Sequence, residues 1–114
     1  MSKLANNVLF SLDSALQIKN NVNVETIAAH KGMDYQDAQY QIITNNSGAP
    51  LEVRLPGFLA DVAVKTGVAY WVRCAGSDNL TIQGGGGATI TSLTSGQSGL
   101  FVADSTNWQL IFKG

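Results

Sequence analysis

Residues 66–112 read TGVAYWVRCAGSDNLTIQGGGGATITSLTSGQSGLFVADSTNWQLIF, and the alternation inside this stretch decides the fold. Short apolar runs are separated by clusters of Gly, Ser, Asn and Asp at a spacing of roughly ten residues, the pattern of consecutive antiparallel strands. Val68, Tyr70, Val72 and Cys74 share one face of the first run, with Trp71 and Arg73 on the other. Leu80 and Ile82 anchor a second strand, and Ala88 to Leu93, Leu100 to Ala103 and Trp108 to Phe112 supply three more. The stretch reads as a β-meander, and Tyr70, Trp108 and Phe112 are expected on core faces.

Working toward the N-terminus, Leu51, Val53 and Leu55 alternate with Glu52 and Arg54 and are stopped by Pro56-Gly57, which predicts a half-buried strand. Residues 58–65 are apolar and read as a helical turn or a covering loop. Asn45-Asn46-Ser47-Gly48-Ala49-Pro50 is a loop signal, preceded by a strand in which Tyr40 and Ile42 face one way and Gln39 and Gln41 the other. VNVETIAA from Val22 alternates Val22, Val24 and Thr26 against Asn23, Glu25 and Ile27, and His30-Lys31-Gly32 reads as a turn. Residues 1–23 have Leu4, Val8, Leu12 and Leu16 at four-residue spacing, yet Asn6-Asn7 and Asn20-Asn21 oppose a helix. They read as an extended or partly ordered arm, leaving 24–114 as one all-β domain, a single β-sandwich of jelly-roll type built from antiparallel strands.

The chain has 114 residues, enough to bury a real core without metals or disulfides. Its charged fraction is 13%, against about 25% in a typical domain. Charge is depleted at the core of protein interfaces, so a charge-poor small β domain suits burial against copies of itself or a larger assembly. The net charge is -1 and the seven Lys and Arg are scattered, which leaves no electrostatic footprint for nucleic acid or an anionic membrane surface. No segment approaches the ~20 apolar residues that span a bilayer, and the first residues lack the apolar core of a signal peptide. The expectation is a protein made and kept in a cytoplasm until assembly.

The motifs that suggest chemistry have simpler readings. A phosphate loop at Gly84 to Gly87 would need a following helix and usually a Lys, but Ala88-Thr89-Ile90-Thr91 is strand material, so the run reads as a hairpin turn. His30 is the only histidine and Cys74 the only cysteine, too few for a zinc site, and Cys74 reads as a buried structural thiol. Asp34 and Asp37 are too close together for a calcium loop, and Asp78 and Asp104 read as turn caps. No enzyme, cofactor or metal is expected. An aromatic platform from Trp71, Trp108, Tyr35, Tyr40 and Tyr70 would serve a carbohydrate-binding module, with Trp71 the best exposed candidate.

Two phrases carry a resemblance: YQIITNNSGAPLEVRLPG at 40–57 and the run from Gly67 to Phe112. The cadence is Leu55-Pro56, then Gly67, Tyr70 and Val72, then Leu80 and Ile82 around glycine, then Leu93 and Gly96, then Asp104 and Trp108. It resembles the small jelly-roll proteins of tailed-phage virions, the capsid decoration or cement proteins and related head-fibre or tail domains. The resemblance implies a homotrimer on the outer capsid surface, bound to the major capsid protein and reinforcing the head. It implies an N-terminal arm in contact with the capsid, where Leu4, Val8, Leu9 and Phe10 are the anchoring candidates, and a trimer interface near Trp71 and Arg73. The alternative is a carbohydrate-binding or fibre β-domain used in host-surface attachment, with a glycan as its ligand.

Overall fold

The computed structural model describes residues 22–57, 67–104 and 106–114. Among them are nine strands and no helix: β1 Val22–Ile27, β2 Lys31–Gly32, β3 Tyr40–Asn45, β4 Leu51–Arg54, β5 Ala69–Ala75, β6 Leu80–Gln83, β7 Thr89–Leu93, β8 Ser98–Ala103 and β9 Trp108–Lys113. They form a five-stranded sheet in the order β9-β8-β5-β3-β1 and a four-stranded sheet in the order β2-β4-β6-β7. The expected arm overlaps this only at Val22 and Asn23, which belong to β1; its other residues, and the apolar run at 58–65, lie outside the described residues.

The antiparallel expectation holds for only three ladders, β5 with β8, β8 with β9, and β6 with β7. The other four ladders, β1 with β3, β3 with β5, β2 with β4, and β4 with β6, are parallel. Parallel neighbours need a crossover between them, and here each crossover is a strand of the opposite sheet. The chain alternates between sheets from β1 to β6, so each turn of the path returns a strand to its own sheet in the same direction. Residues 67–83 are therefore no meander: β5 and β6 lie in different sheets, and the hairpins are β6–β7 and β8–β9. A jelly roll is assembled from antiparallel pairs, and the parallel ladders depart from that pattern.

The corners between sheets stack by hydrogen bonding. Asn45, fully buried, donates its side-chain amide to the carbonyls of Ala49 at 2.9 Å and Asn79 at 2.8 Å, while its Oδ1 accepts from the Ser47 amide and hydroxyl. Gly48 N–H donates to Asp78 Oδ2 at 2.8 Å, and Ser77 N–H to Asn46 Oδ1 at 2.9 Å. Corner 45–50 is thereby tied to corner 75–79. Gly76 has φ +88°, and a Cβ there would stand 2.6 Å from Asn46 Oδ1, so both backbone hand and space require glycine.

One apolar cluster lies between the sheets. Ile43, Tyr70, Val72 and Phe101 enter it from the five-stranded sheet, and Val53, Leu80, Ile82 and Leu93 from the other, all at most 1% exposed. Burying each of these side chains contributes roughly 1.5–3 kcal/mol before entropy is counted. Trp108 packs against Tyr70, ring centroids 5.6 Å apart, and donates Nε1–H to the Pro56 carbonyl at 2.8 Å. The polar atom of a large buried aromatic is thus satisfied.

At the β1 and β2 end the interior turns polar. Lys31 of β2 reaches Glu25 of β1 at 2.6 Å, Asn23 Nδ2 donates to Glu25 Oε1 and Gln41 Oε1, and Gln41 Nε2 donates to the Ala38 carbonyl. This chain spans the gap between the two sheets where the apolar cluster ends. Lys31–Gly32 pairs with Val53–Arg54 and is therefore a short strand where a turn was expected. Because β2 has only two residues, it leaves the Glu52 amide without a ladder partner, and His30 Nδ1 accepts that N–H at 2.9 Å.

Candidate functional site: the outer face of the five-stranded sheet

Residues paired across a sheet share a face, so register decides what each face presents. In β1, Asn23, Glu25 and Ile27 point inward and Val22, Val24 and Thr26 outward. In β3, Gln41, Ile43 and Asn45 are the buried set, which turns Tyr40 and Ile42 outward. In β5, Tyr70, Val72 and Cys74 are buried, as their alternation predicts, and Trp71 and Arg73 face out.

The registers then line up one row across all five strands: Val22 opposite Tyr40, Tyr40 opposite Trp71, Trp71 opposite Leu100, and Leu100 opposite Phe112. Every member is apolar or aromatic. On one side runs Val24, Ile42, Arg73 and Ser98; on the other Ala69, Val102 and Gln109. Arg73 is the single charge in these three rows, and it has neither an ion pair nor a hydrogen bond among the described residues.

Phe112 belongs to this row and not to the core, contrary to the alternation of the sequence. The β8–β9 register shifts between Leu110 and Phe112, which makes Ile111 an extra residue. A one-residue insertion moves every following side chain to the opposite face. Phe112 is consequently 53% exposed, and its ring leans over Leu100 toward Trp71, centroids 6.3 Å apart. Val22, Val24 and Ile111 are 48%, 69% and 60% exposed. Beside Trp71 the face is hollowed into a cavity of about 240 Å³, bordered by Val22, Tyr40, Ile42, Trp71, Arg73 and Ser98.

The opposite surface of the molecule is different. The outward row of the four-stranded sheet is Glu52, Thr81 and Ser92, ordinary solvated residues. Sequence reasoning found Trp71 and Arg73 but missed Val22, Val24, Ile42, Leu100 and Phe112 as their companions. The parallel ladders bring Val22, Val24 and Ile42 beside them, and the antiparallel ladders with the shifted register at Ile111 bring Leu100 and Phe112, none of which is visible in the sequence. Leu4, Val8, Leu9 and Phe10 lie outside the described residues.

Among the described residues no other cluster competes as a reactive site. Among the described residues no three of His, Cys, Asp and Glu gather in an arrangement that would hold a metal ion. Asp34 and Asp37 are spent on their own loop, Asp34 Oδ1 accepting from the Gln36 amide and Asp37 Oδ2 from the Asp34 amide. Asp104 caps its turn through the amides of Asn107 and Thr106 and the Gln109 side chain, which hold its carboxyl below the usual range. Burial pushes the Cys74 thiol up, away from the thiolate a nucleophile needs, and its Sγ–H donates to the Asp78 carbonyl. The Gly84 to Gly87 run is a hairpin tip, closed by Gly84 N–H to the Ala88 carbonyl and Gly87 N–H to the Gly84 carbonyl. Of the aromatics proposed as a sugar platform, Tyr70 and Trp108 are core residues, and only Tyr40 and Trp71 share the outer face.

No family model, no curated protein and no solved structure matches this chain.

Proposed function

We propose that the chain is a virion structural protein, a β-sandwich subunit that binds the outside of a phage head as a homotrimer and stabilises the shell. The observation that carries this reading is the apolar outer face of the five-stranded sheet, on a chain with half the usual charge. A patch of that kind on a small domain marks a protein contact. Trp71 and Arg73 belong to the subunit seam, and Leu4, Val8, Leu9 and Phe10 to the capsid contact. A trimer that engages three equivalent capsid positions gains avidity without any single strong contact, which suits a surface made of neutral, shape-dependent groups.

The test is to mix purified protein with undecorated, expanded phage heads and to image where it binds. Ordered density at symmetry-related positions supports the reading, and bare capsids reject it. Deleting residues 1–12 should leave a folded oligomer that no longer cosediments with heads; unchanged cosedimentation removes the arm from the contact.

A second reading is favoured by one feature, the 240 Å³ hollow between Tyr40 and Trp71 with Arg73 and Ser98 at its border. Aromatic faces next to hydrogen-bonding groups suit a sugar ring, as in a host-attachment domain. Trp71→Ala separates the two uses, because glycan retention on a column would be lost while the oligomer persisted.

A further inference from the structure

The described residues begin at Val22, on the rim of the outer face of the five-stranded sheet. Val22 opens β1, points outward at 48% exposure, and borders the hollow that reaches Tyr40, Ile42 and Trp71. The 21 residues before it therefore join the molecule at the edge of this apolar face. Within them, residues 12–18 read LDSALQI, with Leu12, Leu16 and Ile18 apolar and Asp13 the one charged side chain. Asp13 is also the one carboxylate in residues 1–21. The face has the complementary make-up: Arg73 is the single charge in its three rows, which hold no carboxylate.

Reach and area point to the same occupant. Arg73 sits two strands and one row from Val22, about 12 Å by strand spacing. The chain from Asp13 to Val22 covers about 13 Å even at the short rise of a helix, and more when extended. The whole face measures about 20 by 20 Å, or roughly 400 Å². A stable interface between separate molecules takes about 800 Å² from each partner, twice what is present. A tethered segment needs less, because it is held beside its site at about millimolar effective concentration and pays no cost of association.

We infer that residues 12–18 lie across the outer face of their own chain's five-stranded sheet, Leu16 and Ile18 filling the hollow beside Ile42 and Trp71 and Asp13 pairing with Arg73. This placement goes beyond the homotrimer proposed above and holds for a single chain. Leu4, Val8, Leu9 and Phe10 precede the segment and stay available to the capsid. Where Trp71 and Arg73 border a neighbouring subunit, the segment is part of that border.

The experiment uses the full chain and reads acrylamide quenching of tryptophan fluorescence. Trp108, 6% exposed in the core, reports whether the fold is intact, and Trp71→Phe separates its signal from that of Trp71. Leu16→Asn with Ile18→Asn should at least double the quenching of Trp71 and leave Trp108 shielded. Asp13→Arg and Arg73→Asp should each raise the quenching of Trp71 as well, and the two together should restore the wild-type value. Asp13→Cys with Arg73→Cys should link within one chain under mild oxidation, whereas neither single variant should; Cys74 is buried on the opposite face and takes no part. Links between chains would overturn the inference in favour of a second copy as the source of the segment. Unchanged quenching in the asparagine variant would overturn it and leave the homotrimer standing.

Discussion

The side-chain amide of Asn45 donates to the main-chain carbonyl of Asn79 at 2.8 Å, tying the corner after β3 to the corner before β6. All four hydrogen-bonding positions of this buried amide are filled, two as donor and two as acceptor. Its removal takes one donor from each carbonyl, although Asn79 keeps the Leu51 N–H at 3.2 Å and Ala49 the Ser47 hydroxyl at 3.0 Å, and it opens a void at a fully buried position. Asn45→Ala should therefore cost about 2 kcal/mol, and Asn45→Asp at least as much, since a carboxylate would face both carbonyls. Urea unfolding followed by tryptophan fluorescence checks this; a loss below ~1 kcal/mol would show that the stacked corners are not what holds the winding.

The glycine run gives a position-by-position test. A Cβ on Gly85 would press on Gly57 Cα and stand 2.9 Å from the Gly57 nitrogen, because the hairpin tip lies against the chain after β4. Gly87 has φ +94°, and at Gly86 nothing lies within 4 Å. Gly85→Ala should destabilise by about 2 kcal/mol or more, Gly87→Ala by about 1 kcal/mol, and Gly86→Ala by no more than ~0.5 kcal/mol. Equal effects at all three positions would contradict the packed tip.

The strands themselves were legible because Leu51–Arg54, Ala69–Ala75 and Leu80–Gln83 alternate in period two against a single core. Their partners were not. The same alternation is produced whether β5 lies beside β6 in a meander or above it in a second sheet, and the choice is made by corner hydrogen bonds such as Asn45 to Asn79. At β1 and β3 the pattern misleads more directly: the apolar Val22, Val24, Tyr40 and Ile42 face outward, while Asn23, Glu25 and Gln41 face inward and bond to one another, and Asn45 faces inward and bonds to the corners. Alternation says that two faces differ, not which one is covered by the chain's own core. Phe112 was lost to a different cause, a single bulged residue at Ile111.

Tyr70 should set the alkaline limit of the fold. Burial, aided by the nearby Asp37 and Asp34 charges, pushes its phenol up to about 12 from the usual 10.0. The unfolded chain gives up this proton first, so the stabilisation is complete below pH 10.0 and is lost as pH rises from there to about 12. Absorbance at 295 nm should show one tyrosine titrating last, at the pH where fluorescence reports unfolding. Tyr70→Phe gives up the hydroxyl bond to the Tyr35 carbonyl at 3.1 Å, costs about 1 kcal/mol at neutral pH, and flattens the decline above pH 10.0. A late tyrosine that survives in Tyr70→Phe would assign the effect elsewhere.

Glu25 should act at the acid end with the opposite sign. The Lys31 ammonium and the Asn23 amide hold its carboxyl below the usual 4.5, so the pair contributes stability above that pH and loses it as pH falls through the lower native value. Both side chains keep some exposure, 36% for Glu25 and 19% for Lys31, and solvent screening limits the pair to about 1 kcal/mol at low salt, less at high salt. Glu25→Gln should leave Asn23 and Gln41 bonded, lower the urea midpoint slightly at pH 7, and remove part of the wild-type loss of stability on acidification. Because the pair bridges β1 to β2 across the two sheets, amide exchange in Val22–Ile27 should accelerate in the variant while exchange in Ala69–Ala75 stays slow. Uniform acceleration in both strands would mean that the two sheets open as one unit, and that Glu25 and Lys31 do not act as a local clasp.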